Sequence, residues 1–150
     1  MYPDPSGRYA LISRSMSHSV LSAACRIIGV HIHIGMPDHD TALFVYNGLI
    51  PYVRFLCRQG DISGGKRMRL YKRVSPQYEP PHFENWSDFY HFAVANRFDH
   101  DPRSCWKIIR ISSHGTIEFR MFDSTKSIDT IVEWAHLCHS LCSTIASGMK

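Results

Sequence analysis

The sequence predicts an α+β domain in which helices cover one face of a mainly antiparallel sheet. Two segments alternate apolar and polar residues with the period of a strand, and the stretches around them repeat apolar residues every three to four positions. The resulting order is helix, strand, helix, long loop, helix, hairpin, helix, not a strict strand–helix alternation. At 150 residues, 44% hydrophobic and 20% charged, the chain fits a single domain over 1–150 with enough apolar surface for a core.

Arg8 to Cys25 reads as a helix, with Tyr9, Ile12, Met16 and Val20 at helical spacing and Ala23 and Ala24 adding propensity. Ile27 to Ile34 is β-branched and bounded by Gly35 and Pro37, as a strand should be. Asp38 or Asp40 can cap a helix running through Ala42, Leu43, Val45, Tyr46, Leu49 and Ile50. Pro51 should interrupt it before a continuation over Tyr52 to Cys57. Residues 58–81 lose periodicity; Gly60, Gly64, Gly65, Pro76, Pro80 and Pro81 mark a long basic loop. Asn85 or Ser87 caps a short aromatic helix through Trp86, Phe89, Tyr90 and Phe92. Trp106 to Ile111 and Thr116 to Phe122 form a hairpin around Ser112-Ser113-His114-Gly115. A closing helix runs from Ile128 to Ala146, its apolar face built from Ile131, Trp134, Ala135, Cys138, Leu141, Cys142 and Ile145.

A net charge of +4, scattered along the chain, argues against nucleic acid as the main partner. The densest basic run, Lys66 to Arg73, is either a solvated loop or an anion-binding one. Five cysteines without framework spacing point to free thiols in a reducing compartment. No stretch approaches the length of a membrane span, and the lead-in with Pro3, Asp4 and Pro5 has no apolar secretory segment, so the expected location is cytoplasmic. His136, Cys138, His139 and Cys142 mimic a metal cluster. On a helix, however, Cys138 and Cys142 share the apolar face while the histidines point elsewhere, so buried thiols are expected.

The two strands carry the chemistry. In Gly29 to Gly35, His31 and His33 share one face and Val30, Ile32 and Ile34 the other. In Gly115 to Asp123, Glu118 and Arg120 share one face, opposite Ile117, Phe119 and Met121. A histidine pair on a strand is often structural, and a Glu-x-Arg pair is often a surface ion pair worth ~0–1 kcal/mol. Together they describe a sheet whose polar side is a reaction surface. A small zinc module using His31, His33 and Cys25 or Cys57 is a weaker alternative, since structural zinc prefers tighter paired spacing.

Gly29 to Asp38 (G-V-H-I-H-I-G-M-P-D), Asn47-Gly48-Leu49 with Pro51-Tyr52, Pro80 to Phe89, and Trp106 with Arg110 followed by Gly115 to Asp123 form four ordered blocks. In them the chain resembles the second family of glutamate–cysteine ligases, the carboxylate–amine ligases. The likeness covers nearly the whole chain and corresponds to a middle portion of that family's fold. It implies part of a glutamine-synthetase-like catalytic domain that uses ATP and Mg²⁺ or Mn²⁺ to activate glutamate as an acyl phosphate, which an amine such as that of cysteine attacks. The family's glutamate-rich strand has no counterpart here, Asp61-Ile62-Ser63 stands for its Asp-Thr-Gly, and Lys107 follows Trp106 where aspartate is usual.

The resemblance and the chemistry together imply His31 and Glu118 as metal ligands, Arg120 gripping phosphate and Arg110 holding carboxylate or phosphate. His33 then binds substrate or supports the metal, and Arg67 or Arg69 takes the family's loop arginine role at the nucleotide. Two other readings of the same resemblance are a non-catalytic truncated remnant and one piece of a split ligase, completed by a second copy or a complementing chain.

Overall fold

The computed structural model describes residues 7–149. Its elements are α1 (Arg8–Ser15), α2 (His18–Ala24), β1 (Gly29–Gly35), α3 (His39–Leu49), α4 (Val53–Gln59), α5 (Lys66–Val74), α6 (Trp86–Ala95), β2 (Ile109–Ile111), β3 (Thr116–Asp123) and α7 (Ile128–Ser147). The fold is mixed α and β, with a three-stranded antiparallel sheet in the order β1-β3-β2.

Local chemistry explains most of the boundaries. The Asp38 side chain, not that of Asp40, accepts from the Thr41 amide and starts α3. Pro51 lies in a tight turn over Ile50–Tyr52, where its missing amide costs no helical bond, and α4 follows. Asn85 caps α6, and the Ser127 hydroxyl caps α7 by accepting from the Thr130 amide. Gly115 turns the β2–β3 hairpin at φ 70°, a conformation glycine adopts without strain.

Three expectations are corrected. The helix expected over 8–25 is two helices: Met16 and Ser17 are extended, and the Ser17 hydroxyl caps α2 at the Val20 amide. The loop expected over 58–81 contains α5. Its glycines precede the helix, with Gly64 and Gly65 at positive φ, and Asp61 gathers the amides of Ser63 and Gly65 ahead of it. Arg67 and Tyr71, one turn apart, supply the buried face of α5, so a row of mostly basic residues still packs. The strand expected from Trp106 begins only at Ile109, because Ile108 donates its amide to the Tyr78 carbonyl and the Trp106 carbonyl accepts from the Tyr71 hydroxyl.

The apolar core lies on one side of the sheet, where Ile32, Ile117 and Phe119 meet α3 and α7. Val45, Tyr46 and Leu49 of α3 and Trp134, Cys138 and Cys142 of α7 are all buried there. Trp134 stacks on Phe122 with ring centroids 5.0 Å apart and donates its indole N–H to the Gln59 carbonyl, which ties α7 to the end of α4. All five cysteines are free, and His136 and His139 are exposed. Burial pushes the Cys142 thiol up to about 12 and raises Cys138 further, so both pack as small apolar groups. Among the described residues, no helix is long and apolar enough to cross a membrane.

The β1–β3 ladder is irregular at one place. Ile32 pairs with Phe119 but Val30 pairs with Phe122, so β3 spends three steps where β1 spends two. This bulge falls at Arg120 and Met121, opposite His31. A bulge bends the strand and re-aims the side chains beside it.

Candidate functional site

Glu118 sits at the centre of β3, paired across the ladder with His33 on β1 and Arg110 on β2. Its flanking partners therefore project on the same side, away from the apolar core. Arg110 Nε donates to Glu118 Oε2 at 2.5 Å. On the other oxygen, Oε1, His31 Nδ1 lies at 3.2 Å, Arg120 Nε at 3.5 Å and His33 Nε2 at 3.9 Å. His33 is also fixed by Thr116, whose hydroxyl is 2.9 Å from Nδ1. His31, His33, Arg110, Glu118 and Arg120 are thus brought together on one surface.

The carboxylate is 2% exposed. Burial alone would raise its pKa, but hydrogen bonds from His31 and Arg110 and the charges of Arg110 and Arg120 outweigh it and hold the group at about 2. The two guanidiniums are further fixed by the segment before β2. Arg110 Nη1 donates to the carbonyls of Pro102 and Cys105, and Arg120 Nη1 donates to the Cys105 carbonyl at 2.5 Å. Arg120 also lies over the Trp106 ring, 5.3 Å from its centroid. With two guanidiniums for one carboxylate, the face keeps an excess of positive charge suited to anions.

A cavity of about 870 Å³ opens from this face. Its lining joins His33, Arg110 and Glu118 to Phe83, Trp86 and Phe89, which interlock edge to face. The sequence places Trp86 and Phe89 on a short aromatic helix without revealing their part in this wall. The signal was present in the density of aromatic residues between Phe83 and Phe98. Trp106 and the Cys105 carbonyl were missed for another reason: their contacts exist only through tertiary structure.

Arg67 and Arg69 separate, although both belong to α5. Arg67 is buried and donates from Nε to the Ile28 carbonyl and from Nη2 to the Arg120 carbonyl, at the β3 bulge. Gly29 makes room for it, since a Cβ there would collide with the Arg67 guanidinium and the Phe122 carbonyl. Arg69 is exposed, donates to the Gly64 carbonyl and lines neither this cavity nor the smaller one beside it.

The donor set does not by itself make a metal centre. Among the described residues, no group of three or more His, Cys, Asp or Glu is placed to hold a metal ion. The Glu118 oxygens already serve guanidiniums, and a divalent cation would have to compete with Arg110 and Arg120 for them. The same observation removes support from the zinc module of His31, His33 and Cys25 or Cys57. The Cys57 thiol is moreover raised by burial to about 11, the nearby charges of Lys72 and Arg67 opposing this only in part.

Comparison with known proteins bears on the resemblance. A protein of Gloeobacter violaceus provisionally named glutamate–cysteine ligase 2 is 28% identical over 130 residues, 77% of this chain and 35% of that protein. Proteins of the same name from Solibacter usitatus and Roseiflexus sp. are 23% and 24% identical, over 97% and 91% of this chain and 40% and 39% of theirs. The chain is a sequence relative of the family-2 glutamate–cysteine ligases. It spans about 35–40% of the length of the ligases it matches. No family model matches the chain. No solved structure matches it either.

Proposed function

We propose that this chain is the anion-positioning part of an ATP-dependent carboxylate–amine ligase of glutamate–cysteine ligase type, built on a portion of a glutamine-synthetase-like sheet. The observation that supports it best is the shared face of Glu118, Arg110, Arg120, His31 and His33 beside a large cavity, in a sequence relative of those ligases. In such a reaction a carboxylate oxygen, from glutamate or a similar acid, attacks the γ-phosphorus of ATP and ADP leaves. An amine nitrogen such as that of cysteine then attacks the acyl carbon, phosphate departs and the amine loses a proton. Two anions must meet in the first step, and fixed guanidiniums lower its cost by neutralising charge where it develops.

In this reading Arg110 and Arg120 take the anionic groups, with Glu118 holding both guanidiniums in place. His33, hydrogen-bonded to Thr116 at the cavity wall, contacts substrate. Mg²⁺ or Mn²⁺ accompanies the nucleotide. Because the residues here do not assemble a metal site, further carboxylates fall to the remaining length that the relatives possess, or to a complementing chain. The limited span of the match equally favours one piece of a split ligase, which keeps the face but needs that complement to turn over.

The test mixes the purified chain, together with the remaining length of a relative, with ATP, Mg²⁺ or Mn²⁺, glutamate and cysteine, and follows ADP and the amide product. The expected result is ADP release that requires the acid, with amide formed only when the amine is present. Arg110→Gln should lower turnover by roughly a hundredfold or more, the scale of losing one fixed charge-stabilising donor. Absence of nucleotide binding to the chain, alone or mixed with the rest of a relative's length, overturns the reading.

A further inference from the structure

The large cavity has two unlike halves. One is the Glu118 face with Arg110 and His33; the other is an aromatic wall that includes Tyr46, Phe83, Trp86, Phe89, Phe92 and Phe98. The rings hold one another in place. Phe83 stacks on Tyr46 at 5.5 Å and meets Phe89 edge-on and Phe92 at a tilt, both at 5.2 Å, while Phe92 meets Phe98 at 5.6 Å. Asn47 pins the Phe83 backbone, donating to its carbonyl at 2.7 Å and accepting from its amide at 3.1 Å. The wall is therefore preformed, yet it borders a cavity that ordinary core packing would have closed.

The remaining charged side chains of the lining are already engaged. Asp38 caps α3, Asp99 lies 3.4 Å from His100, Arg103 pairs with Asp101 and Lys107 donates to the Gln77 carbonyl. A group lying against the wall meets ring faces and edges, where a charge would be stranded, so that group is uncharged. A purine would want paired donors and acceptors along its edge. Among the described residues, no asparagine or glutamine lines the cavity to supply them. At about 870 Å³ the cavity falls within the roughly 300–1,000 Å³ of sites that enclose drug-sized ligands, and cysteine would leave most of the wall in water.

Resting on the ligase reading, we propose that the amine acceptor is a primary amine carrying an uncharged aromatic ring, in place of cysteine. The ring lies against the wall of Phe83, Trp86 and Phe89, and the nitrogen points toward the Glu118 face. Apolar surroundings disfavour an ammonium, and so does the excess of guanidinium charge beside Glu118. The bound nitrogen is thereby kept as the free base, the form with a lone pair to attack. It forms the C–N bond at the acyl carbon, phosphate leaves with the C–O electron pair, and the nitrogen gives up a proton to solvent.

The experiment is a calorimetric titration of the chain with phenethylamine in alkaline buffer without ATP, beside butylamine, cysteine and adenosine. The expected result is saturable binding of phenethylamine at one site, about tenfold or more tighter than butylamine or cysteine, the scale of burying one ring. Phe89→Leu should weaken it about threefold or more, the scale of a lost ring–ring contact. Ala93→Leu, which intrudes on the cavity from the same helix, should weaken it comparably. The control Val94→Ser, on that helix but outside the lining, should stay within about twofold. Circular dichroism establishes which variants are folded, and the ranking of probes on the unmodified chain needs no variant. Absence of saturable phenethylamine binding overturns the proposal, as does wild-type affinity in folded Phe89→Leu and Ala93→Leu. Tighter binding of adenosine also overturns it, by assigning the wall to a nucleotide. In the ligase mixture, phenethylamine should give about tenfold higher kcat/KM than cysteine. Faster turnover of cysteine overturns this inference and leaves the ligase reading intact. Phenethylamine binding without any nucleotide binding overturns the ligase reading and leaves the amine site standing.

Discussion

The two sides of β3 are both buried, yet they are buried by opposite means. On one side Ile117 and Phe119 disappear beneath α3 and α7, where contact with other apolar groups is favourable without further conditions. On the other, Glu118 and Arg120 are equally hidden, but each charge depends on particular partners: Arg110, His31 and the Cys105 carbonyl. An apolar side chain tolerates imperfect neighbours, whereas a buried ion that loses one partner is left uncompensated. The core side therefore sets how stable the fold is, and the charged side is a costly arrangement whose retention is best understood through binding.

Substitutions can break this contrast at each level. Phe119→Ala, fully buried between sheet and helices, should cost about 4 kcal/mol in urea denaturation, the range for a core phenylalanine. Glu118→Gln should cost about 3 kcal/mol at neutral pH, because Arg110 and Arg120 are left facing a neutral amide. The same variant sharpens the comparison through pH. Glu118 is held at about 2 in the folded chain against 4.5 for the free group, so its contribution is complete above pH 4.5 and is lost as pH falls toward 2. On the order of 3 kcal/mol of wild-type stability should disappear over that window, and Glu118→Gln should be much flatter there. Chemical denaturation at stepped pH reads both. Phe119→Ala should keep the wild-type pH slope.

Gly29→Ala should cost about 2 kcal/mol by displacing Arg67 from the bulge, with the thermal midpoint as readout. The smallest effect belongs to Arg69→Gln. That guanidinium is exposed and bonds only within its own loop, so a change within about 0.5 kcal/mol is expected from the same melts.

How much of this was legible in the sequence follows the same division. The period of two in Val30-His31-Ile32-His33 and Ile117-Glu118-Phe119-Arg120 placed the imidazoles and the acid–guanidinium pair on one kind of face, because a pleat leaves no other choice. The period near 3.6 from Ile131 to Ile145 gave α7 and its buried Trp134, Cys138 and Cys142. Helix α5 was invisible for a physical reason. Gly64, Gly65 and Pro76 bracket it closely, and five of its nine residues are basic, which hides the helical spacing of Leu70, Tyr71 and Val74 against the core. Its stability comes from carbonyls of β3 and of the residue before β1, which no local pattern records. The bulge at Arg120 and Met121 likewise has no glycine or proline to announce it.

The placement of the three tryptophans has a practical consequence. Trp134 is stacked in the core, Trp86 faces the large cavity and Trp106 lies under Arg120 in the small one. Each indole therefore samples a different electric and solvent environment, and single-tryptophan versions of the chain would emit from three separate neighbourhoods. The fold carries its own optical probes, one for unfolding and one for each hollow that a ligand could enter.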